Sequence, residues 1–88
     1  KQTKALQVLQ ELVELRPDEL DLRKKLAAFY ASLGMKKQAL EHYNTVGEVQ
    51  LDLGLPDDAA NTIETILRLG PDDPDNYRKL LDQIRGGI

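Results

Sequence analysis

The stretch ALQVLQELVELRP, residues 5 to 17, aligns with a second stretch further along the chain, AANTIETILRLGP at 59 to 71. A single constant shift sets Ala5 on Ala59, Leu9 on Ile63, Leu12 on Ile66 and Pro17 on Pro71. The register holds past the proline, with Asp18 on Asp72, Asp21 on Asp75, Lys24 on Arg78 and Leu26 on Leu80. Prolines, alanines and apolar phase match together, which identifies an internal repeat. A repeat of this kind restricts the fold to supersecondary pieces that each bury a face against a neighbour.

Those pieces read as helices. Breaks fall at Pro17-Asp18, Gly34, Gly54-Leu55-Pro56 and Gly70-Pro71 through Pro74, and the stretches between them carry apolar residues at spacings of three and four. The first holds Ala5, Val8, Leu9, Leu12 and Leu15. The second holds Leu22, Leu26, Phe29, Tyr30 and Leu33, with Asp18 expected as its N-cap and Gly34 as its left-handed terminator. A third runs from about Lys36 to Leu53, a fourth starts at Pro56-Asp57 and carries Ala59, Ala60, Ile63, Ile66 and Leu67, and a fifth carries Tyr77, Leu80, Leu81 and Ile84 before Gly86-Gly87. No stretch alternates with period two, so no strand is expected. The prediction is an all-α chain of about five helices.

The third stretch contains Gly47, and a helix-interior glycine costs roughly 1 kcal/mol relative to alanine. Either the chain turns there or one long helix uses the missing side chain for a close approach. The repeat arithmetic favours the long helix, through a family resemblance. Leu26, Ala27, Tyr30, Gly34, Ala39 and Tyr43 fall on the pattern of the tetratricopeptide repeat, an antiparallel helix pair of about 34 residues, and Ala5, Leu9, Leu12 and Pro17 resemble its second helix alone. Gly54, Ala59, Ile63, Ile66 and Pro71 resemble the same half. The next turn glycine after Gly34 is Gly54, well short of a full repeat. Counting back from Gly54, Tyr43 takes the large-residue position, Val46 the leucine position and Gly47 the small-residue position. One helix around residues 36–53 then serves both as a second helix (Ala39, Tyr43) and as a first helix (Tyr43, Val46, Gly47, Leu51). The resemblance implies an antiparallel helical repeat, a tetratricopeptide-like α-solenoid, stacked with a right hand and disturbed at this shared helix. Expected core residues are Leu9, Leu12, Leu26, Ala27, Tyr30, Ala39, Tyr43, Val46, Gly47, Ala59, Ile63, Ile66 and Leu80. Tyr43 is placed deep enough that truncation to alanine should cost roughly 3–5 kcal/mol.

Composition narrows the function classes. With 88 residues the chain amounts to a single domain, read here as a fragment of a longer chain because helical pattern begins almost at Lys1. No leader segment and no bilayer-length apolar run is visible, so a cytoplasmic setting is expected. The absence of cysteine removes disulfides, thiolate catalysis and cysteine-ligated zinc. A net charge of −3 argues against a nucleic-acid partner, and Tyr30, Tyr43 and Tyr77 lie at packing spacings instead of forming a stacking platform.

Candidate chemistry is sparse. His42 is the one histidine, and its helical neighbours Gln38, Ala39, Thr45 and Val46 supply no second ligand, so it is expected to face solvent or to pack against a turn. The acidic turns Asp57-Asp58 and Asp72-Asp73-Pro74-Asp75 lack the glycine and distant glutamate of a calcium loop and read as helix starts. No Ser/His/Asp set, phosphate loop or carboxylate pair stands out, so no catalysis, no cofactor and no metal are expected. Gly86-Gly87-Ile88 reads as a helix terminator at the cut end of a fragment.

What remains is protein–protein interaction. In the tetratricopeptide family, first-helix positions face a groove, and some members grip a peptide carboxylate with Lys, Arg and Asn. Lys24 and Lys25 recur one period later as Arg78 and Lys79, while Ala28 stands where the first clamp asparagine would be, so that specialised site is expected to be absent. The residues assigned to a partner-binding face are Lys24, Lys25, Ala28, Asn44, Glu48, Arg78 and Lys79. The expected partner is a protein or peptide, neither nucleic acid nor membrane. The alternative is self-association into a homodimer through uncapped terminal helix faces.

Overall fold

In the computed structural model, which describes residues 2–86, every break found in the sequence separates two helices. They are α1 (Gln2–Leu15), α2 (Leu20–Ser32), α3 (Lys36–Asp52), α4 (Pro56–Leu69) and α5 (Pro74–Gly86). No strand occurs among the described residues. Gly87 and Ile88, part of the expected terminal cap, lie outside them. The shift that carries Ala5 onto Ala59 also carries the end of α1, Leu15, onto the end of α4, Leu69. It carries the start of α2, Leu20, onto the start of α5, Pro74. The repeat seen in the residues is therefore a repeat of helix pairs, α1 packed on α2 and α4 packed on α5. Among the described residues no helix is long and apolar enough to cross a membrane.

The turns follow from local chemistry. At the end of α2 the Met35 N–H reaches the Tyr30 carbonyl at 2.9 Å and the Gly34 N–H reaches that of Ala31 at 3.0 Å. At the end of α3 the Leu55 N–H reaches Gln50 at 2.9 Å and the Gly54 N–H reaches Leu51 at 3.1 Å. Both are Schellman closures, and both need a left-handed residue, supplied by Gly34 at φ 77° and Gly54 at φ 73°. Pro56 and Pro74 open α4 and α5, where a missing N–H is harmless.

One expected cap is corrected. Asp18 does not cap α2. The Glu19 N–H closes a turn onto the Arg16 carbonyl at 3.1 Å, so Asp18 is spent inside that turn, and Glu19 takes the N-cap position with extended backbone and no side-chain cap bond. Asp57 and Asp58 in α4 and Asp75 in α5 do lie in first turns, where they complement the helix dipole.

The helix α3 passes through Gly47 without interruption, and Gly47 is buried. The glycine is thus a contact residue and not a turn. By its contacts the chain resolves into two compact units, Lys1–His42 and Tyr43–Ile88, with the division falling inside α3.

The first unit buries Val13, Leu26, Ala27, Tyr30 and Ala39; the second buries Val46, Ala59, Ala60, Ile63 and Ile66 together with the polar pair Gln50 and Thr62. Removing a side chain such as Leu26 or Ile66 from water contributes roughly 1.5–3 kcal/mol. Nine of the expected core residues are buried, while Leu9, Leu12, Tyr43 and Leu80 are only partly covered. Val13, Ala60, Gln50 and Thr62 are buried without having been expected. Within the second unit, the Thr62 hydroxyl donates to Gln50 Oε1 at 2.6 Å, which satisfies two polar groups that would otherwise be costly there.

Candidate binding surfaces

In the second unit the C-terminal part of α3, α4 and α5 leave a groove between them. It has a volume of about 230 Å³ and a largely apolar lining from Leu51, Ile63, Ile66, Tyr77 and Leu80. Gly47 lies in its wall. The polar edge comes from Asn44 and Glu48, one helical turn apart on α3. The Tyr77 hydroxyl donates to Asn44 Oδ1 at 2.8 Å, which fixes the tyrosine ring against the groove and orients the amide. Glu48 is exposed and gives the groove a negative edge. The arrangement suits an apolar side chain flanked by a polar or basic group.

Of the residues assigned from sequence, Asn44 and Glu48 are brought together by this groove. Lys24, Lys25 and Ala28 are exposed on α2, and Arg78 and Lys79 are exposed on α5, but none of these lines the groove or the second cavity described below. Arg78 bonds Asp75 at 3.0 Å within its own helix, with both side chains mostly in solvent, so the pair is worth little. Arg85 of α5 reaches Glu64 of α4 at 2.7 Å and links the two helices of that pair.

The first unit contains a larger cavity, about 420 Å³, between α1, α2 and the start of α3. Here the sequence expectation for His42 is corrected. His42 is half-buried, and its ring stacks on Tyr30 with centroids 5.6 Å apart and planes 9° from parallel. Arg23 Nη1 bonds His42 Nδ1 at 3.2 Å. A guanidinium only donates, so Nδ1 accepts and the ring proton sits on Nε2. Burial, then the Arg23 charge, hold the imidazole below its ordinary pKa, with Glu41 opposing. Burial likewise pushes the Tyr43 phenol up, with Arg68 opposing. The helical-wheel neighbours of His42 gave no sign of this because both its partners come from α2.

Arg23 is the functional candidate that sequence reasoning missed. The signal was present, since the repeat sets Arg23 on Tyr77 and so places a charge where the other copy has a packing aromatic. Gln10 of α1 completes the polar wall, its Nε2 donating to the Tyr30 hydroxyl at 2.5 Å. Neither a scan against protein-family models nor a search of curated proteins returns a match for the chain.

Proposed function

We propose that the chain is a tetratricopeptide-like helical-repeat module, an α-solenoid segment that binds a segment of a partner protein without catalysis. The observation that carries this reading is the repetition of a packed helix pair, α1 with α2 and then α4 with α5, in which the end of the first helix (Leu15, Leu69) and the start of the second (Leu20, Pro74) coincide under one shift. A repeat of helix pairs presents ordered grooves whose shape is set before any ligand arrives, so little ordering entropy is lost on binding. The groove beside Asn44 and Glu48 is the favoured contact, and the partner is an extended or helical peptide that inserts an apolar anchor next to a basic group. In this reading α3 serves two overlapping repeats, one ending on it and one beginning.

Display selection of peptides, followed by calorimetry with purified protein, tests the reading. Selected peptides should carry an apolar anchor near Lys or Arg, and Leu51→Asp and Glu48→Lys should each weaken them about tenfold while circular dichroism stays unchanged. Both positions are exposed, so neither change threatens the fold. Failure to select any binder, or binders indifferent to both substitutions, rejects this surface.

Self-association is kept as a second reading because α1 exposes Val8 at 46% and Leu15 at 78%. Light scattering over a concentration series separates the two, since a stable dimer would persist on dilution.

A further inference from the structure

We infer that the outward stripe of α1 is a dimer contact for a second copy of this chain, with the two α1 helices parallel and in register. This interface gives the self-association reading, on which it rests, a surface and a geometry. Ala5, Val8, Leu12 and Leu15 stand at spacings of three, four and three, the a and d positions of two heptads. Ala5, Val8 and Leu15 are exposed, Leu15 by 78%, and Leu12 is only partly covered. The side of α1 turned to α2 is a different one, marked by the buried Val13 and by Gln10, which bonds Tyr30.

Two features separate this stripe from its repeat counterpart on α4, which the chain covers itself. Thr62, bonded to Gln50 of α3, has Val8 as its counterpart, and valine offers no hydrogen bond to a buried amide. The stripe on α1 therefore suits an apolar partner and not a second helix of the α3 kind. Thr65 and Gly70 have Glu11 and Arg16 as counterparts, both exposed and in no ion pair among the described residues. Glu11 is a g position of the heptad and Arg16 is the e position five residues on. Arg16 keeps its helical placement just past the end of α1, because its N–H still bonds the Leu12 carbonyl at 2.9 Å. When two such helices run parallel, the g side chain of one reaches the e side chain of the other, so Glu11 meets Arg16 twice across the two-fold axis. In a reversed pairing g faces g, and Glu11 would stand against its own copy. Charge selects the parallel dimer, and the apolar stripe supplies the contact.

Sedimentation equilibrium of the chain from about 10 µM to about 1 mM should show monomer and dimer in exchange. Val8→Asp and Leu15→Asp should each weaken the dimer about tenfold or more, with circular dichroism unchanged because both positions are exposed. Glu11→Gln should weaken it roughly two- to tenfold, since each dimer loses two charge pairs, and Glu11→Lys combined with Arg16→Glu should restore it. The chain has no cysteine, so single introduced thiols report the orientation. Val8→Cys alone should oxidise in air to a disulfide-linked dimer, whereas a reversed pairing sets position 8 across from position 12 and links Val8→Cys only to Leu12→Cys. A monomer throughout the concentration range overturns this interface and the self-association reading together. A dimer that ignores Val8→Asp and Leu15→Asp, tightens with Glu11→Gln, or crosslinks only between the two different thiol variants leaves self-association standing and overturns the interface.

Discussion

Adding one methyl group at Gly47 asks whether this residue is a close-approach contact within a continuous helix. The backbone at Gly47 is helical and continuous with both flanks, so alanine gains about 0.8–1.0 kcal/mol of helix propensity there. The space for its Cβ is defined by one neighbour: Thr62 Cγ2 would stand 3.6 Å away, an ordinary van der Waals distance. The methyl is therefore accommodated without displacing α4, and its burial adds up to ~0.8 kcal/mol. Thr62 is held by its bond to Gln50, so the contact is with a fixed surface and part of that gain is lost to small misfits. A net stabilisation of about 1 kcal/mol is expected, equivalent to ~4–8 °C in the thermal midpoint of a chain this size. Urea denaturation followed by far-UV circular dichroism measures it directly. Gly47→Leu extends beyond the same wall and should lose ~1–3 kcal/mol by overpacking. A destabilised Gly47→Ala, or a leucine tolerated as well as alanine, would refute the placement of α3 against α4.

Four further outcomes follow from the same structure. Thr62→Val strands the buried Gln50 acceptor and should cost ~1–3 kcal/mol, whereas Thr62→Val with Gln50→Leu should recover much of it; a double-mutant cycle with coupling below ~0.5 kcal/mol would deny the pair. Tyr43→Ala should lose roughly 1.5–2.5 kcal/mol, about half the cost for a fully buried aromatic, because its side chain is only half-covered; a loss above ~4 kcal/mol in urea titration would restore the deeper placement. The folded chain holds His42 below 6.5, so the unfolded chain binds the extra proton first, and the stability from neutral His42 is complete above that value and lost as pH falls through the folded one. Protonation sets the imidazole against Arg23, with Glu41 only partly compensating, so the stability gap between wild type and His42→Gln should narrow on acidification; a gap that stays constant contradicts this. Ile63→Ala should cost ~2–5 kcal/mol and Leu9→Ala distinctly less, although the two residues are counterparts in the repeat; equal losses in chemical denaturation would show that the counterpart faces are covered alike.

The helix limits were legible because their causes are local. Pro17, Gly34, Gly54, Pro56 and Pro74 act on the residues beside them, and those neighbours are all in view along the chain. The exception, Asp18, shows the limit of that reasoning: aspartate caps well, but the Glu19-to-Arg16 turn bond decides where the helix begins. Gly47 became legible only through counting, since propensity alone argues for a break there. The candidate sites were harder. Asn44 and Glu48 were named and do share a groove, but its apolar walls come from α4 and α5, which a single helix cannot reveal. Arg23 and His42 were missed as a pair because their contact joins two helices at a separation of 19 residues.

Depth of burial is the least legible property, and the repeat explains why. Ala5, Leu9 and Leu12 have the same spacing as Ala59, Ile63 and Ile66, and the two helices that carry them end at equivalent positions, Leu15 and Leu69. Yet Ala59, Ile63 and Ile66 are exposed by no more than 2%, while Ala5 is exposed and Leu9 and Leu12 are only partly covered. The difference lies in α3. Its C-terminal part meets α4 with Gly47 beside Thr62 and with Gln50 bonded to the same threonine. The α1 counterpart of Thr62 is Val8, nearly half exposed. An apolar stripe states what a helix can bury; its neighbour determines what is buried. The two polar residues follow the same logic. In the core of the second unit the Thr62 hydroxyl and Gln50 Oε1 find in each other the partner that their burial requires. Within this repeat, then, the sequence of a helix sets its period and phase, and the partner helix sets the energetic weight of each position along it.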